Sequence, residues 1–180
     1  MKEIIKHLLK KMGEDPKRKG LLKTPTRVEA SLKFLTQGYE QDLDQIVNAS
    51  LFKAESQEMI VVKDIEIYSL CEHHLLPFFG KCHIGYIPDK KIIGVSKLGR
   101  IADLFSRRLQ LQERLTNQIA ETLTKILSPK GVGVVIEAQH LCMMMRGIQK
   151  QNSKMITSSM KACFESSQKT REEFMHLIFH

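Results

Sequence analysis

The sequence predicts an α+β fold in which an antiparallel sheet carries helices on one face, preceded by an N-terminal helical appendage. Two observations lead there. Apolar residues recur at helical spacing as far as Gly38, and from "EMIVVKDIEIYSL" onward the period changes to two. The strand-like segments then come as two pairs separated by two helices, an order that argues against a doubly wound sheet. The helical region is expected over 1–50 and the sheet-bearing domain over 51–180.

Ile4, Ile5, Leu8, Leu9 and Met12 fall on one face of a helix over residues 3–12, with lysines opposite. Docking on its own protein or on a sister copy suits that face better than a membrane surface. "DPKRKGLLK" reads as a loop. In "KTPTRVEASLKFLTQGY", Thr24 is placed to cap a helix, Pro25 fits its first position and Gly38 stops it. "EMIVVKDIEIYSL" is a strand running into "CEHH", and "GKCHIGYIPDKKIIGVSKL" reads as two strands turning at Pro88-Asp89-Lys90. Ser96 is placed to cap a helix bearing Leu98, Ile101, Leu104 and Phe105. Apolar residues fall out of phase between Leu109 and Leu111. A second helix then runs from Gln112 through Leu115, Ile119, Leu123 and Ile126 towards Pro129. "GVGVVIEAQHLCMMMRG" and "KMITSSMKACF" are further strands, and "QKTREEFMHLI" is a closing helix.

A chain of 180 residues can bury a core without staples, and 42% hydrophobic with 27% charged residues is ordinary for a globular protein. No apolar run approaches the roughly 20 residues that span a bilayer. The first twenty residues lack the apolar stretch and cleavage site of a signal peptide, so a cytoplasmic location without membrane is expected. Cys71, Cys82, Cys142 and Cys163 are too few and too scattered for a disulfide framework, which leaves metal binding or burial. A net charge of +8 calls for an anionic partner. With 6% aromatics, no Trp and no nucleic-acid module, that partner is a phosphorylated small molecule rather than nucleic acid.

"SLCEHHLLPFFG" sets Cys71, Glu72, His73 and His74 in a row, and "QHLCMMMRG" adds His140 and Cys142. On a strand, residues two apart share a face, so the latter pair is expected to converge on one point. Thiolate and imidazole are zinc donors; structural sites use four, whereas catalytic sites use three and leave a position for water. Either cluster alone is equally a buried thiol beside a hydrogen-bonded histidine. Two clusters at strand ends, in a chain with no other such grouping, favour a metal. Ser96, Lys97 and Arg100 at a helix start, with Arg146 four residues past Cys142, offer amides and cations to phosphate, although a solvated basic face also accounts for them. Gln112 and Glu113 open a helix, where the dipole alone favours a carboxylate.

Taken in order, "GLLKTPTRV", "CEHHLLPF", "GVSKLGR", "QERLTNQIA" and "HLCMMMRG" resemble the signature segments of the GTP cyclohydrolase I family, from about residue 15 to about residue 178. The resemblance implies a tunnelling fold, residues 51–180 as the catalytic domain, and a toroidal homodecamer with active sites between subunits. It implies conversion of GTP and water into dihydroneopterin triphosphate and formate, at the start of folate-type pterin synthesis. Cys71, His74 and Cys142 correspond to the family's Zn2+ ligands, and His73 and His140 to its catalytic histidines. Glu113 and Gln112 correspond to guanine-recognition positions. Ser96, Lys97, Arg100, Arg146 and Arg27 correspond to residues around ribose and triphosphate. The chemistry agrees: two thiolates balance the charge of zinc, and an imidazole titrates near working pH. A Glu113 carboxylate can accept from guanine N1–H and the 2-amino group together, a pair that adenine lacks.

Some positions depart from the family pattern or stay outside the chemistry. Ala30 stands where a lysine is frequent, with Lys33 one turn later as a substitute, and Leu109 stands where proline is common. Glu72 is expected to support the local structure. Cys82 and Cys163 read as core or interface thiols, His83 as a strand histidine, and Met143, Met144 and Met145 as packing. Two alternatives stand beside this reading: another tunnelling-fold enzyme handling a different purine or pterin and, from a different class, a non-catalytic zinc-stabilised nucleotide-binding or scaffold protein, which needs a fourth protein ligand.

Overall fold

A computed structural model describes residues 1–180. Helices α1 (Lys2–Lys11) and α2 (Thr24–Leu35) pack together, tied by ion pairs from the N-terminal amine and Lys2 to Glu29. Only Ile5 of α1 is buried; Ile4, Leu8 and Met12 face outward. Thr24 does not cap α2. The preceding residues already form a helical turn, with Thr24 N donating to Leu21 O and Arg27 N to Lys23 O, so the cap position falls on Lys23. Gly38 likewise does not end the helix, which stops at Leu35. It sits in the turn Gln37–Tyr39, where its N donates to Arg107 O at 3.0 Å and a Cβ would collide with the Leu104 and Arg107 carbonyls. Helix α3 (Leu43–Val47) follows, capped by the Asp42 side chain.

The remaining elements are β1 (Leu51–Lys53), β2 (Ile60–Cys71), β3 (Pro77–Ile87), β4 (Lys91–Ile93), α4 (Val95–Ser106), β5 (Leu109–Gln110) and α5 (Gln112–Leu127). After them come β6 (Gly131–His140), α6 (Leu141–Met144), β7 (Met155–Ala162), α7 (Cys163–Ser166) and α8 (Gln168–Phe179). The main sheet has the order β5-β2-β3-β6-β7 and is antiparallel except for β5, which lies parallel to β2. The out-of-phase stretch 109–111 is therefore a short edge pairing, Leu70 with Leu109 and Cys71 with Gln110. The turn after Ile87 does not fold β4 back onto β3: β4 pairs with β1 in a separate two-stranded sheet. Ser96 does not cap α4, because the cap position is Gly94, whose N–H is held by Ser50 O.

Alternation along the strands sends Ile84, Tyr86, Val132, Val134 and Ile136 to one face, where they bury against Leu98 and Ile101 of α4 and Leu115, Ile119 and Leu123 of α5. The helices expected on one face are thus α4 and α5. Helices α7 and α8 add cover on the opposite face, where Val135 meets Phe164, Phe174 and Ile178. The facing residues Gly85 and Gly133 make room there: a Cβ on Gly133 would lie 2.6 Å from the Phe164 ring. The start of α4 is pinned at the far end of the sheet, with Ile93 N donating to the Tyr86 hydroxyl. Tyr86 lies nine steps along β3 from Pro77, about 30 Å of strand. No helix is long and apolar enough to cross a membrane.

Candidate metal centre and active site

The loop from Cys71 to Leu76 joins β2 to β3 where Leu70 pairs with Pro77. It closes on itself: Cys71 O accepts from His74 N and Leu75 N, and Cys71 N donates to Leu76 O. Leu75 has φ +54°, a left-handed conformation that costs a non-glycine residue about 1–2 kcal/mol. The two histidines stand exposed at this hairpin end, next to the terminus of β6. Beyond His140 the chain leaves β6 for the helical turn α6, so strand alternation is not what places Cys142. The turn carries it to the loop, while His140 stays on the sheet beside Phe78.

Donor atoms of Cys71, His74 and Cys142 all lie within 4.8 Å of one another. A tetrahedral zinc site with its usual bond lengths has edges of roughly 3.3–3.8 Å, so a small closure brings the three into coordination range. Cys71 is buried, Cys142 half-buried and His74 exposed, which leaves one side open. Burial raises the Cys142 thiol, and the neighbouring Cys71 raises it further. A divalent cation between two thiolates offsets the repulsion between their charges. The donor set fits zinc. Arg146 stands at the open rim, its Nη1 donating to His74 Nε2 at 2.9 Å.

His140 stacks on Phe78 with ring centroids 4.6 Å apart and planes 6° from parallel. Burial lowers its pKa, and the Glu113 carboxylate pulls it back up. His73 is exposed, its ring 6.1 Å from that of His74. Gln112, 1% exposed, places its Oε1 2.8 Å from His140 Nε2. Arg114 was not singled out in the sequence; its guanidinium donates to both Glu72 oxygens, at 2.6 and 3.0 Å. This fork fastens the candidate metal loop to α5 next to Glu113. Forty-two residues separate the partners, so no local pattern announces the pair. Ser96, Lys97 and Arg100 lie on the first turns of α4, and Arg27 on α2; no hydrogen bond or ion pair joins them to the cysteines and histidines within one chain.

The family model described as GTP cyclohydrolase I matches residues 1–179. The chain belongs to the GTP cyclohydrolase I family. It is 57% identical over 178 residues to GTP cyclohydrolase 1 of Leptospira biflexa serovar Patoc, covering 99% of this chain and 97% of that one. Identity to GTP cyclohydrolase 1 of Campylobacter lari is 57% over 174 residues, with 97% and 92% covered. The Dictyostelium discoideum protein of the same name is 56% identical over 178 residues, with 99% of this chain and 77% of that one covered. As a member of the GTP cyclohydrolase I family the chain is an enzyme, and its curled mixed sheet with packed helices is the family's tunnelling fold. Its Cys-His-Cys cluster is compatible with a bound metal ion.

Proposed function

We propose that this chain opens the imidazole ring of guanine in GTP by hydrolysis, releases C8 as formate and recloses the remainder as 7,8-dihydroneopterin triphosphate. The observation that carries this reading is the Cys71–His74–Cys142 cluster, with His140 and Glu113 beside it, in a chain of this family. Cys71, His74 and Cys142 would hold Zn2+, which when bound supplies Lewis acidity and a water acidified toward neutral pH. His140 moves a proton at a ring nitrogen of guanine as the ring opens, with exposed His73 flanking the same face. Glu113 accepts from N1–H and the 2-amino group, and the His140–Phe78 stack walls the purine pocket.

Arg146 is at the cluster's rim, where a phosphate of the bound nucleotide can draw it from His74. Ser96, Lys97 and Arg100, with Arg27, supply the remaining polar and cationic groups for ribose and triphosphate. The start of α4 lies beside Tyr86, at the end of β3 away from the metal loop, and no hydrogen bond joins the two within one chain. A second copy that brought its α4 to the first copy's metal loop would complete the site. This supports active sites between subunits of a closed ring, the homodecamer of the family, and the exposed apolar stripe of α1 has a partner in such an assembly.

The test is incubation of zinc-loaded protein with GTP while formate and pterin absorbance are followed together. Both rise in step, and both vanish in Cys142→Ser. Formate without pterin means a ring-opening enzyme that stops early. Neither product, from folded protein with zinc bound, overturns the reading.

A further inference from the structure

We infer that Gln112 is a positioning residue that holds His140 as the tautomer protonated at Nε2, which makes Nδ1 the nitrogen that exchanges a proton with substrate. The inference rests on the reading of His140 as catalytic, but its geometry comes from a hydrogen-bond network with only one consistent direction. Gln112 Nε2 lies 3.0 Å from Ile136 O, 3.0 Å from Met155 O and 3.1 Å from Thr157 Oγ1. Backbone carbonyls only accept, so this end of the side chain must be the amide NH2. The Thr157 hydroxyl is an acceptor here as well. Thr116 Oγ1 donates to Gln112 O at 2.7 Å, so in the 2.7 Å contact between Thr116 and Thr157 the proton comes from Thr157. Its oxygen is then left to receive the Gln112 amide.

With the NH2 group fixed, the other end of Gln112 is the carbonyl, and Oε1 faces His140 Nε2 at 2.8 Å. An amide oxygen cannot donate, so Nε2 carries the proton and the neutral ring has its lone pair on Nδ1. Gln112 and Thr116 are about 1% exposed, and the His140 ring lies flat against Phe78, centroids 4.6 Å apart. A proton taken up at Nδ1 is returned from Nδ1, while the Nε2–H bond to Gln112 stays intact throughout. Both amide hydrogens of Gln112 are spent on protein acceptors. The residue therefore acts on guanine chemistry through His140 rather than by reading the base, although its place in the sequence suits guanine recognition.

The experiment is magic-angle-spinning 15N spectroscopy of zinc-loaded, histidine-labelled protein at a pH where His140 is neutral, its signals identified by their loss in His140→Asn. A pyrrole-type Nε2 and a pyridine-type Nδ1 are expected, and the reverse assignment overturns the proposal. In Gln112→Met the signature gives way to a tautomer mixture, and kcat for GTP falls about 10²-fold while KM stays within about twofold. A raised KM with kcat kept would return Gln112 to base recognition. If Gln112→Met does not fold, the wild-type spectrum alone decides. If wild-type protein does not turn over GTP, the functional reading fails while the spectrum still judges the tautomer.

Discussion

At Glu113 an exposed carboxylate lies close enough to His140 to raise its pKa, on the first turn of a helix whose dipole favours negative charge. Its removal should leave the cysteines and His74 untouched. Glu113→Ala is expected to bind zinc stoichiometrically and to lose about 10³-fold or more in kcat/KM for GTP. Metal analysis beside a turnover assay checks this, and unchanged turnover would remove Glu113 from guanine recognition. His83 shows the opposite use of a histidine. It is buried, with Nδ1 accepting from Asp64 N at 3.2 Å and its ring against Phe179. Burial holds its pKa below the ordinary 6.5, with Asp64 and Glu137 pulling up and Lys81 and Lys63 pushing down. The unfolded chain therefore takes up this proton first. The stability His83 contributes is intact above about pH 6.5 and is lost as the pH falls towards the folded pKa. Melting temperatures from pH 8 to 5 should decline less steeply in His83→Gln than in the parent, and identical slopes would exclude His83.

At the scale of elements, two joints hold the site. The fork from Arg114 to Glu72 links the metal loop to α5, and the pairing holds the Glu72 carboxyl below its usual range. Because the pair is exposed, Arg114→Ala should leave Tm nearly unchanged. It frees the loop relative to Glu113, and kcat/KM should drop about tenfold through misalignment. A large fall in Tm with activity intact would make the fork a stability device instead. The second joint is the trough of Gly85 and Gly133 that receives Phe164 and Phe174. A methyl group at Gly133 meets both rings, so Gly133→Ala should cost about 1–3 kcal/mol and lower Tm by about 2–4 °C per kcal/mol, read by calorimetry. An unchanged melting curve would mean that α7 and α8 yield without loss.

For the whole molecule, the separation between the metal loop and the start of α4 makes a mixing experiment decisive. If Cys142 holds the metal and Lys97 a phosphate, Cys142→Ser and Lys97→Ala should each be inactive or nearly so by themselves. If each site draws these two halves from different copies, unfolding and refolding the variants together at equal amounts should restore about a quarter of the sites. No recovery, from a mixture shown to have exchanged subunits, would place both halves in one chain. The charge of +8 is a property of the same scale and favours the approach of an anionic partner.

By itself the sequence determined the element types, because apolar periodicity is a local consequence of burying one face: α4, α5, β2, β3, β6 and β7 were all legible in it. It also determined the donor chemistry, since thiolates and imidazoles are written in the residues of "CEHH" and "HLC", and the family, through five ordered segments. Tertiary structure alone decided the rest. The cap positions of α2 and α4 moved because neighbouring backbone groups supplied the bonds that Thr24 and Ser96 were expected to make. β4 chose β1 over β3, a pairing between segments that no local pattern relates. Cys142 reached Cys71 on a helical turn rather than by strand alternation, and Arg114 found Glu72 across the fold. The direction of the Gln112 amide required Ile136 and Met155, one on each of two neighbouring strands. Periodicity and composition act along the chain, whereas a hydrogen bond between distant residues exists only once folding has set their distance and angle.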